Sequence, residues 1–383
     1  MKREKNEIVN RKNCTGCGAC KQICPKDCIS FIEDKLGFQY PSIDQEKCVQ
    51  CGLCRKVCPA LNTQQDLQED TTYFAAYHKD ADCNEGSSSG GIFKLLTEFV
   101  LSQAGVVFGV MCDDEMQIHH GWIDKVQDIG RLQGSKYVQS DIRESFREAE
   151  IFLKKDKIVL FSGTPCQIAG LKRFLRKDYS NLICIDLVCH GVPSAKLWEK
   201  YIQWHKEKYK KTPVWANFRD KSSGWRDFSM KIKYDDGSVY CRKQDEDPFL
   251  RLFLQDIVLR ESCYACSFKG IERQSDITLG DCWGIERIVP AWKEIEGVSL
   301  LMVHSLKGKE ILQKIEMTSI QLKKEDVLPY NRNIMYSIKK DSRRRRFRIA
   351  LAVSSIELLA DQYCKPTLLD KVKYKLRVYC NQS

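Results

Sequence analysis

The chain reads Cys14-Thr15-Gly16-Cys17-Gly18-Ala19-Cys20-Lys21-Gln22-Ile23-Cys24-Pro25 and, after a spacer, Cys48-Val49-Gln50-Cys51-Gly52-Leu53-Cys54-Arg55-Lys56-Val57-Cys58-Pro59. One spacing, C-x2-C-x2-C-x3-C-P, is written twice. A cubane iron–sulfur cluster needs four thiolates converging on four iron corners. Three Cys with two residues between each wrap a tight loop around three of those corners. Gly16, Gly18 and Gly52 let that loop turn and let backbone N–H groups face the sulfides. Pro25 and Pro59 end the runs. A zinc site draws on four Cys or a Cys/His mix, and no His precedes His78.

The double run resembles that of bacterial ferredoxins, in which the fourth Cys of each run belongs to the other cluster. On that pattern Cys14, Cys17, Cys20 and Cys58 hold one 4Fe–4S cluster, and Cys48, Cys51, Cys54 and Cys24 hold the second. Between the runs, Ile29 to Ile32, a turn at Asp34 to Gly37, and Phe38 to Ile43 predict a small hairpin.

At 383 residues the chain has room for two or three domains. No apolar run reaches the length of a membrane span, and Met1 to Asn13 lacks the apolar core of a signal peptide. The end at Cys380-Asn381-Gln382-Ser383 does not match a prenylation box. A cytoplasmic, reducing compartment is therefore expected, with the 20 Cys kept as thiols and metal ligands rather than disulfides. The formal charge of +11 is offset in part by clusters, each about −2 with its four thiolates. A dense basic patch remains at Lys339, Lys340, Arg343, Arg344, Arg345, Arg346 and Arg348. It reads either as a solvated helical face or as a docking surface for an acidic partner, an anionic substrate or a membrane. No nucleic-acid module accompanies it.

Beyond a polar linker at Asn62 to Thr72, Tyr73 to Tyr77 reads as a strand. Glu85-Gly86-Ser87-Ser88-Ser89-Gly90-Gly91 then opens a helix over Ile92 to Leu101. Its Ser and Gly residues can cap the helix or leave its amides open to a phosphate. Gly105 to Val110 completes an expected strand–helix–strand unit. Gln133-Gly134-Ser135-Lys136-Tyr137 is a second polar stretch, and Asp141 to Lys155 a helix candidate. Ile158 to Phe161 is a strand that turns through Gly163-Thr164-Pro165-Cys166-Gln167 into a helix over Ile168 to Leu175. Leu182 to Val188 is the next strand, ending at Cys189-His190-Gly191. Alternating strands and helices predict an α/β unit with a mostly parallel core, and loops at the carboxyl ends of its strands are where such sheets bind ligands. Trp215 to Arg219, Phe228 to Tyr234 and Val239 to Arg242 read as antiparallel strands with a turn at Asp235-Asp236-Gly237. Val298 to Val303 is a strand, Leu306 to Ile315 a helix, and Ile349 to Ala360 a helical tail.

Four features together resemble the family of coenzyme F420 hydrogenase/dehydrogenase beta subunits: the Ser/Gly loop before a helix, Gly163-Thr164-Pro165-Cys166-Gln167, Cys263-x-x-Cys266, and Ser275-Asp276-Ile277-x-x-Gly280-Asp281-x-Trp283-Gly284. The resemblance runs over roughly residues 73 to 330. It implies a non-covalent FAD and a third 4Fe–4S cluster held by Cys166, Cys189, Cys263 and Cys266. Zinc at those four Cys, or free Cys263 and Cys266, stays open on the residues alone. Cys282 is left out of the set. The flavin is expected against Ser88, Ser89, Gly90 and Gly91, against Gln133, Gly134, Ser135, Lys136 and Tyr137, and against Gly163, Thr164, Pro165 and Gln167. Lys136 is a candidate beside the flavin or a substrate anion. His190 is a candidate proton donor, or equally a structural group beside a ligand. F420-dependent members often carry Cys with an acidic residue where this chain has Cys189-His190, and the basic tail is not a general family feature. Both departures bear on whether F420 is the substrate.

The expected fold is α/β, α+β overall. A two-cluster ferredoxin domain (1–66) precedes a flavin-binding α/β unit with a mixed sheet (67–155 and 156–335) and a basic helical tail (336–383). The expected function is an iron–sulfur flavoprotein oxidoreductase that exchanges electrons with a redox partner protein or ferredoxin and acts on a small molecule, coenzyme F420 or another. The other reading is an electron-transfer adaptor docking on a partner enzyme.

Overall fold

The computed structural model describes residues 7–62, 71–80 and 86–364. Most of the expected linker (63–70), Glu85 at the head of the Ser/Gly loop, and the tail beyond 364 with Cys380 lie outside the described residues. Among the described residues no helix is long and apolar enough to cross a membrane.

Strands β1 (Ile29–Glu33) and β2 (Gln39–Ile43) form the expected antiparallel hairpin. The Asp34 carboxylate accepts from the Leu36 and Phe38 amides at 2.9 and 3.0 Å, which folds the turn back on itself. Gly37 sits there at φ 82°, where a Cβ would lie 2.2 Å from Lys196 Cβ.

Chain order then gives β3 (Thr72–Tyr77), β4 (Val106–Cys112), β5 (Ile118–Ile123), β6 (Val159–Gly163), β7 (Leu182–Leu187), β8 (Pro213–Asp220), β9 (Ser229–Tyr234), β10 (Val239–Lys243), β11 (Ile277–Asp281), β12 (Ser299–Val303) and β13 (Thr318–Leu322). Eight of these make one sheet in the order β13-β3-β12-β11-β7-β6-β4-β5. The middle four, β11, β7, β6 and β4, are parallel. They are buried throughout most of their length, as a sheet covered on both faces requires. On one face lie the helices Ser145–Lys154 and Pro165–Leu175, through Phe146, Ile168, Leu171 and Phe174. On the other lie Ile92–Ser102 and Leu306–Leu312. Strands β8 to β10 form a separate antiparallel sheet, as their alternation predicts, with Gly237 at φ 82° in the turn.

The strand–helix–strand order expected over residues 73 to 110 is present, although β3 and β4 are not neighbours in the sheet. β3 instead pairs antiparallel with β12 and β13, strands that the chain supplies more than 200 residues later. The helix leading to Leu175 takes Pro165 into its first turn with Thr164 as its cap, as those residue types suit, and Gln167 completes a capping box. The tail is two helices, Arg344–Val353 and Ile356–Tyr363, with Ser355 capping the second through the Leu358 amide.

The double-Cys segment docks on the face carrying Ser145–Lys154 and Pro165–Leu175. Gln22 Oε1 accepts from the Phe146 and Arg147 amides at 3.0 and 3.2 Å, and Arg147 Nε donates to Gln22 O at 2.7 Å. At Gly170 a Cβ would stand 3.0 Å from both Cβ and Sγ of Cys17. Gly170→Leu is expected to destabilise this junction by about 1–3 kcal/mol, the usual cost of overpacking. A lowered thermal midpoint with iron released at lower temperature, read against an exposed-site control such as Gly237→Asn, checks it.

Candidate iron–sulfur and cofactor site

Each run of three Cys wraps through glycines in the left-handed region. Gly18 (φ 78°) opens the short helix Ala19–Gln22, and Gly52 (φ 73°) opens Leu53–Lys56. Cys14, Cys17, Cys20 and Cys58 line one cavity, walled by Ile8, Val9 and Phe31. Cys48, Cys51, Cys54 and Cys24 line a second, walled by Ile29, Ile43 and Val49. The last Cys of each run thus crosses to the cavity of the other. Burial, then the Cys17 and Cys14 thiols, push the Cys20 thiol well up, and Cys54 of the second set also acts on it. Eight thiols in two sets of four with apolar walls fit two cubanes. A ninth thiol, Cys28, was not singled out in the sequence. Its Sγ lies 3.3 Å from that of Cys24, on the wall of the second cavity. The short interval Cys24-Pro25-Lys26-Asp27-Cys28 was the available signal.

A third group of thiols gathers at the carboxyl edge of the large sheet. β6 and β7 are adjacent and parallel, so their ends present Cys166 and Cys189 side by side. Cys166 stands in the first turn of its helix, with Thr164 Oγ1 at 3.2 Å. Cys263 and Cys266 come from the turn around Glu261–Ala265. Burial pushes the Cys166 thiol well up, followed by Cys266, Cys189 and Cys263. Cys263 is pushed up to about 12 by burial, then by Cys189. Two cations, the half-buried Lys269 and the buried Arg273, flank the group. Lys269 Nζ donates to the carbonyls of Cys189 and Asn333, and Lys269 and Arg273 both act on the Cys189 thiol. Arg273 is buried, and its Nε and Nη2 have no hydrogen-bond partner. Orphaned buried guanidinium N–H groups beside four thiols fit a resident anionic cluster. Among the described residues no three His, Cys, Asp or Glu converge closely enough to hold a single metal ion. Cys282 is buried in a separate apolar cluster, away from this group.

The same edge carries the loops expected to hold a flavin. Because β3 pairs antiparallel with β12, which runs antiparallel to β11, β3 points the same way as the parallel block, and its end and the loop after it reach this edge. Ser88 Oγ accepts from the Ser135 amide at 2.8 Å, which ties 86–91 to 133–137. Ser89 Oγ donates to Val298 O, and the Gly90 amide to Ser299 Oγ. A Cβ on Gly90 would meet Ala76 O at 2.5 Å, so only glycine fits. Gly91 (φ 80°) precedes Ile92–Ser102 with no side-chain cap, and Gly134 lies at φ 78°. The segment Gly163 to Gln167 joins the others through Gln167 Nε2, which donates to Ser140 Oγ at 3.0 Å. Ser140 in turn pairs with His120 Nδ1. Burial lowers the His120 imidazole to about 4.

The two candidate catalytic side chains are both engaged. Lys136 Nζ donates to the carbonyls of Arg131, Leu132 and Gln133, at 3.3, 3.2 and 2.7 Å. It caps the C-terminus of the helix Ile129–Leu132, and burial lowers its ammonium to about 8. His190 Nε2 pairs with the Asp256 carboxylate and Nδ1 with Asn333 Nδ2 at 3.1 Å. Its ring also meets Phe253 edge-on, with 5.2 Å between centroids. Phe253 stacks on Tyr137 at 4.6 Å.

Sequence reading missed the group behind Tyr137. Arg219 and Asp281 form a buried ion pair, and Trp225 Nε1 donates to Asp281 Oδ1 at 3.0 Å. Trp225 stacks on Trp283. Asp281 and Trp283 belong to the Ser275–Gly284 motif, which was the only sequence signal. Within the basic patch Arg344 alone is buried, against Ile257 O and Tyr264; Arg343 is half-buried on Asp341, Lys340 binds Glu261 from the surface, and Lys339, Arg345, Arg346 and Arg348 are exposed.

Residues 156–327 match the family described as the C terminus of the coenzyme F420 hydrogenase/dehydrogenase beta chain, and residues 13–62 match the 4Fe-4S dicluster domain. The chain is 24% identical over 211 residues to the F component of the F(420)H(2) dehydrogenase of Methanosarcina mazei, covering 50% of this chain and 58% of that protein. It is 23% identical over 197 residues to the coenzyme F420-dependent sulfite reductase of Methanocaldococcus jannaschii, covering 49% and 29%. The matched length is thus under two thirds of either relative. A solved chain of the xenon-derivatised F420-reducing NiFe hydrogenase complex from Methanosarcina barkeri aligns at a TM-score of 0.44 and 15% identity, over 76% of this chain and 90% of that one.

Proposed function

We propose that this chain, in which a 4Fe-4S dicluster domain precedes the C-terminal region typical of coenzyme F420 hydrogenase/dehydrogenase beta subunits, is an iron–sulfur flavoprotein oxidoreductase. Its three thiol sets form a one-electron wire that ends at a flavin site on the carboxyl edge of the sheet. The observation that carries this reading is the contact of Cys17 with Gly170, one helical turn from Cys166. Four residues of helix rise about 6 Å, so the first cavity and the third thiol set stand back to back on one rigid element. Cys20 and Cys54 interact across the two dicluster cavities. The sets therefore run in series: Cys24/48/51/54, then Cys14/17/20/58, then Cys166/189/263/266.

At the far end the chain's own residues supply binding and orientation. The uncapped amides at Gly91 and the backbone around Gly134 suit a pyrophosphate. Tyr137, held by stacking on Phe253, and the buried Arg219–Asp281 pair wall that edge. His190, with Nε2–H donated to Asp256, positions the Cys189 loop, and Lys136 holds the 133–137 segment through three carbonyls. Bound clusters would supply single electrons, and a bound flavin the exchange between one-electron and two-electron chemistry with an organic substrate. Reduced F420 is the first substrate to test, since the named relatives act on it.

Anaerobically purified full-length protein is expected to hold about twelve irons and one flavin. Cys166→Ser or Cys263→Ser should lose about four irons, whereas Cys282→Ser should lose none. About eight irons and no flavin would reduce the chain to a two-cluster carrier.

Stopped-flow mixing with reduced F420, reduced ferredoxin or NADH reads the flavin directly. Bleaching by one organic donor in the isolated chain is the expected result. Bleaching only when a partner protein is added would make the chain an adaptor.

A further inference from the structure

Arg260 lies between the first cavity and the third thiol set, and it is 1% exposed. Its Nε donates to Cys14 O at 2.8 Å, and its Nη2 reaches Cys14 Sγ at 3.6 Å and Gln39 O at 2.9 Å. Nη1 donates to Gln139 Oε1 at 2.9 Å. Tyr40 covers one face of the guanidinium at 4.4 Å. On the other side, the Arg260 carbonyl accepts from the Cys263 amide at 2.9 Å, and its charge acts on the Cys263 thiol. With Cys14 as a thiol, every one of these partners is neutral. Among the described residues no carboxylate pairs with Arg260, and Glu261 beside it turns to Lys340 and Arg344.

A buried guanidinium without an anion is costly, because burial removes its hydration and nothing neutralises it. Here the four donors are fixed by carbonyls, an amide and an aromatic face, so the side chain cannot swing to solvent. The anion that balances it must come from the thiolates it faces. Resting on the cluster assignment proposed above, we infer that Arg260 is a potential-setting residue shared by two iron–sulfur centres: it donates an N–H to the Cys14 sulfur and places one positive charge between the Cys14 and Cys263 centres. An N–H directed at a ligand sulfur and a nearby cation both stabilise the more negative, reduced cluster. The second dicluster centre, ligated by Cys24, Cys48, Cys51 and Cys54, has no contact with Arg260 and serves as an internal reference.

The test uses the full chain, purified anaerobically, as wild type, Arg260→Lys and Arg260→Met. Iron is counted first, and midpoints are then followed by EPR-monitored redox titration. In Arg260→Met one dicluster midpoint is expected to fall by the equivalent of a tenfold change in its reduction equilibrium, about 59 mV for one electron, while the other holds. Arg260→Lys keeps the charge without the fork and should fall by less. Wild type labelled with 15N-arginine should show a 15N hyperfine coupling to one reduced cluster, a measurement that needs no variant to fold. Unchanged midpoints in fully loaded Arg260→Met, or no 15N coupling in fully loaded wild type, overturns the inference. Wild type that binds no iron would instead remove the cluster assignment itself.

Discussion

The double-Cys segment meets the sheet's helices where a helix backbone packs against a cysteine. Gly170 sits mid-helix, where glycine costs about 1 kcal/mol relative to alanine. Any side chain there would press on Cys17 Cβ and Sγ. The helix accepts the weaker residue because its backbone must touch the double-Cys segment. Once that contact is made, the capping box at Thr164 and Gln167 fixes where the helix starts, and with it Cys166. The strand β6 that feeds the helix lies beside β7, and so Cys189 follows. Distance, orientation and neighbour all descend from one residue without a side chain.

Charge is arranged around the same axis. Arg260, Arg273, Lys269 and Arg219 are all buried or nearly so, in a protein whose other cations mostly face water. Only Arg219 has a close carboxylate, in Asp281. Arg273 stands 3.9 Å from Asp186, whose carboxyl burial pushes up, so that pair is a weak neutraliser. Buried cations in excess of buried anions are unstable unless something anionic completes them. The three poorly matched ones lie against Cys14 or Cys189. The excess positive charge of the sequence thus has two homes. Part sits around the thiol sets, and part in the tail, where Arg343 and Arg344 are spent on holding the last helices to the body.

The sequence made the thiols legible and left their setting hidden. Spacing marks the three Cys that each loop wraps, because that loop is local, and the resemblance to bacterial ferredoxins assigns the fourth Cys of each run to the other set. The pairing of Cys166 with Cys189 was also within reach, since strands ending in Cys can be neighbours in a parallel sheet. Register across the sheet was not. Nothing near β3 names its partners: it is captured by β12 and β13, and no local pattern encodes a pairing made across more than 200 residues. The same limit hid Arg260, Arg273 and Arg219. A single arginine in a polar stretch looks like any solvated cation until folding removes its water. Lys136 shows the reverse: a lysine in a glycine-containing loop suggests a ligand contact, but its three donors are taken by the carbonyls of the turn before it.

Among the helices that start at the carboxyl edge, Pro165–Leu175 and Ile92–Ser102 differ in their caps, and on the proposed reading that decides which of the two can receive a pyrophosphate. The helix from Pro165 has its first amides satisfied by Thr164 and Gln167, and its first turn is occupied by Cys166. It is closed to an anion. The helix from Ile92 follows Gly91 in the left-handed region, with no side chain capping it. Its loop is nonetheless rigid, pinned by Ser88 to Ser135, Ser89 to Val298 and Gly90 to Ser299. Open amides on a fixed loop are what phosphate binding requires, since neither reorganisation nor displacement of a cap opposes it. The edge therefore divides its labour: Pro165–Leu175 presents a thiol, and Ile92–Ser102 presents amides. Between them lie His190, Phe253 and Tyr137, ring against ring, from the Cys189 loop to the 133–137 segment. On the proposed reading the amides at Gly91 would hold the pyrophosphate of a flavin, and this stack, which begins at the Cys189 loop, would wall the same edge.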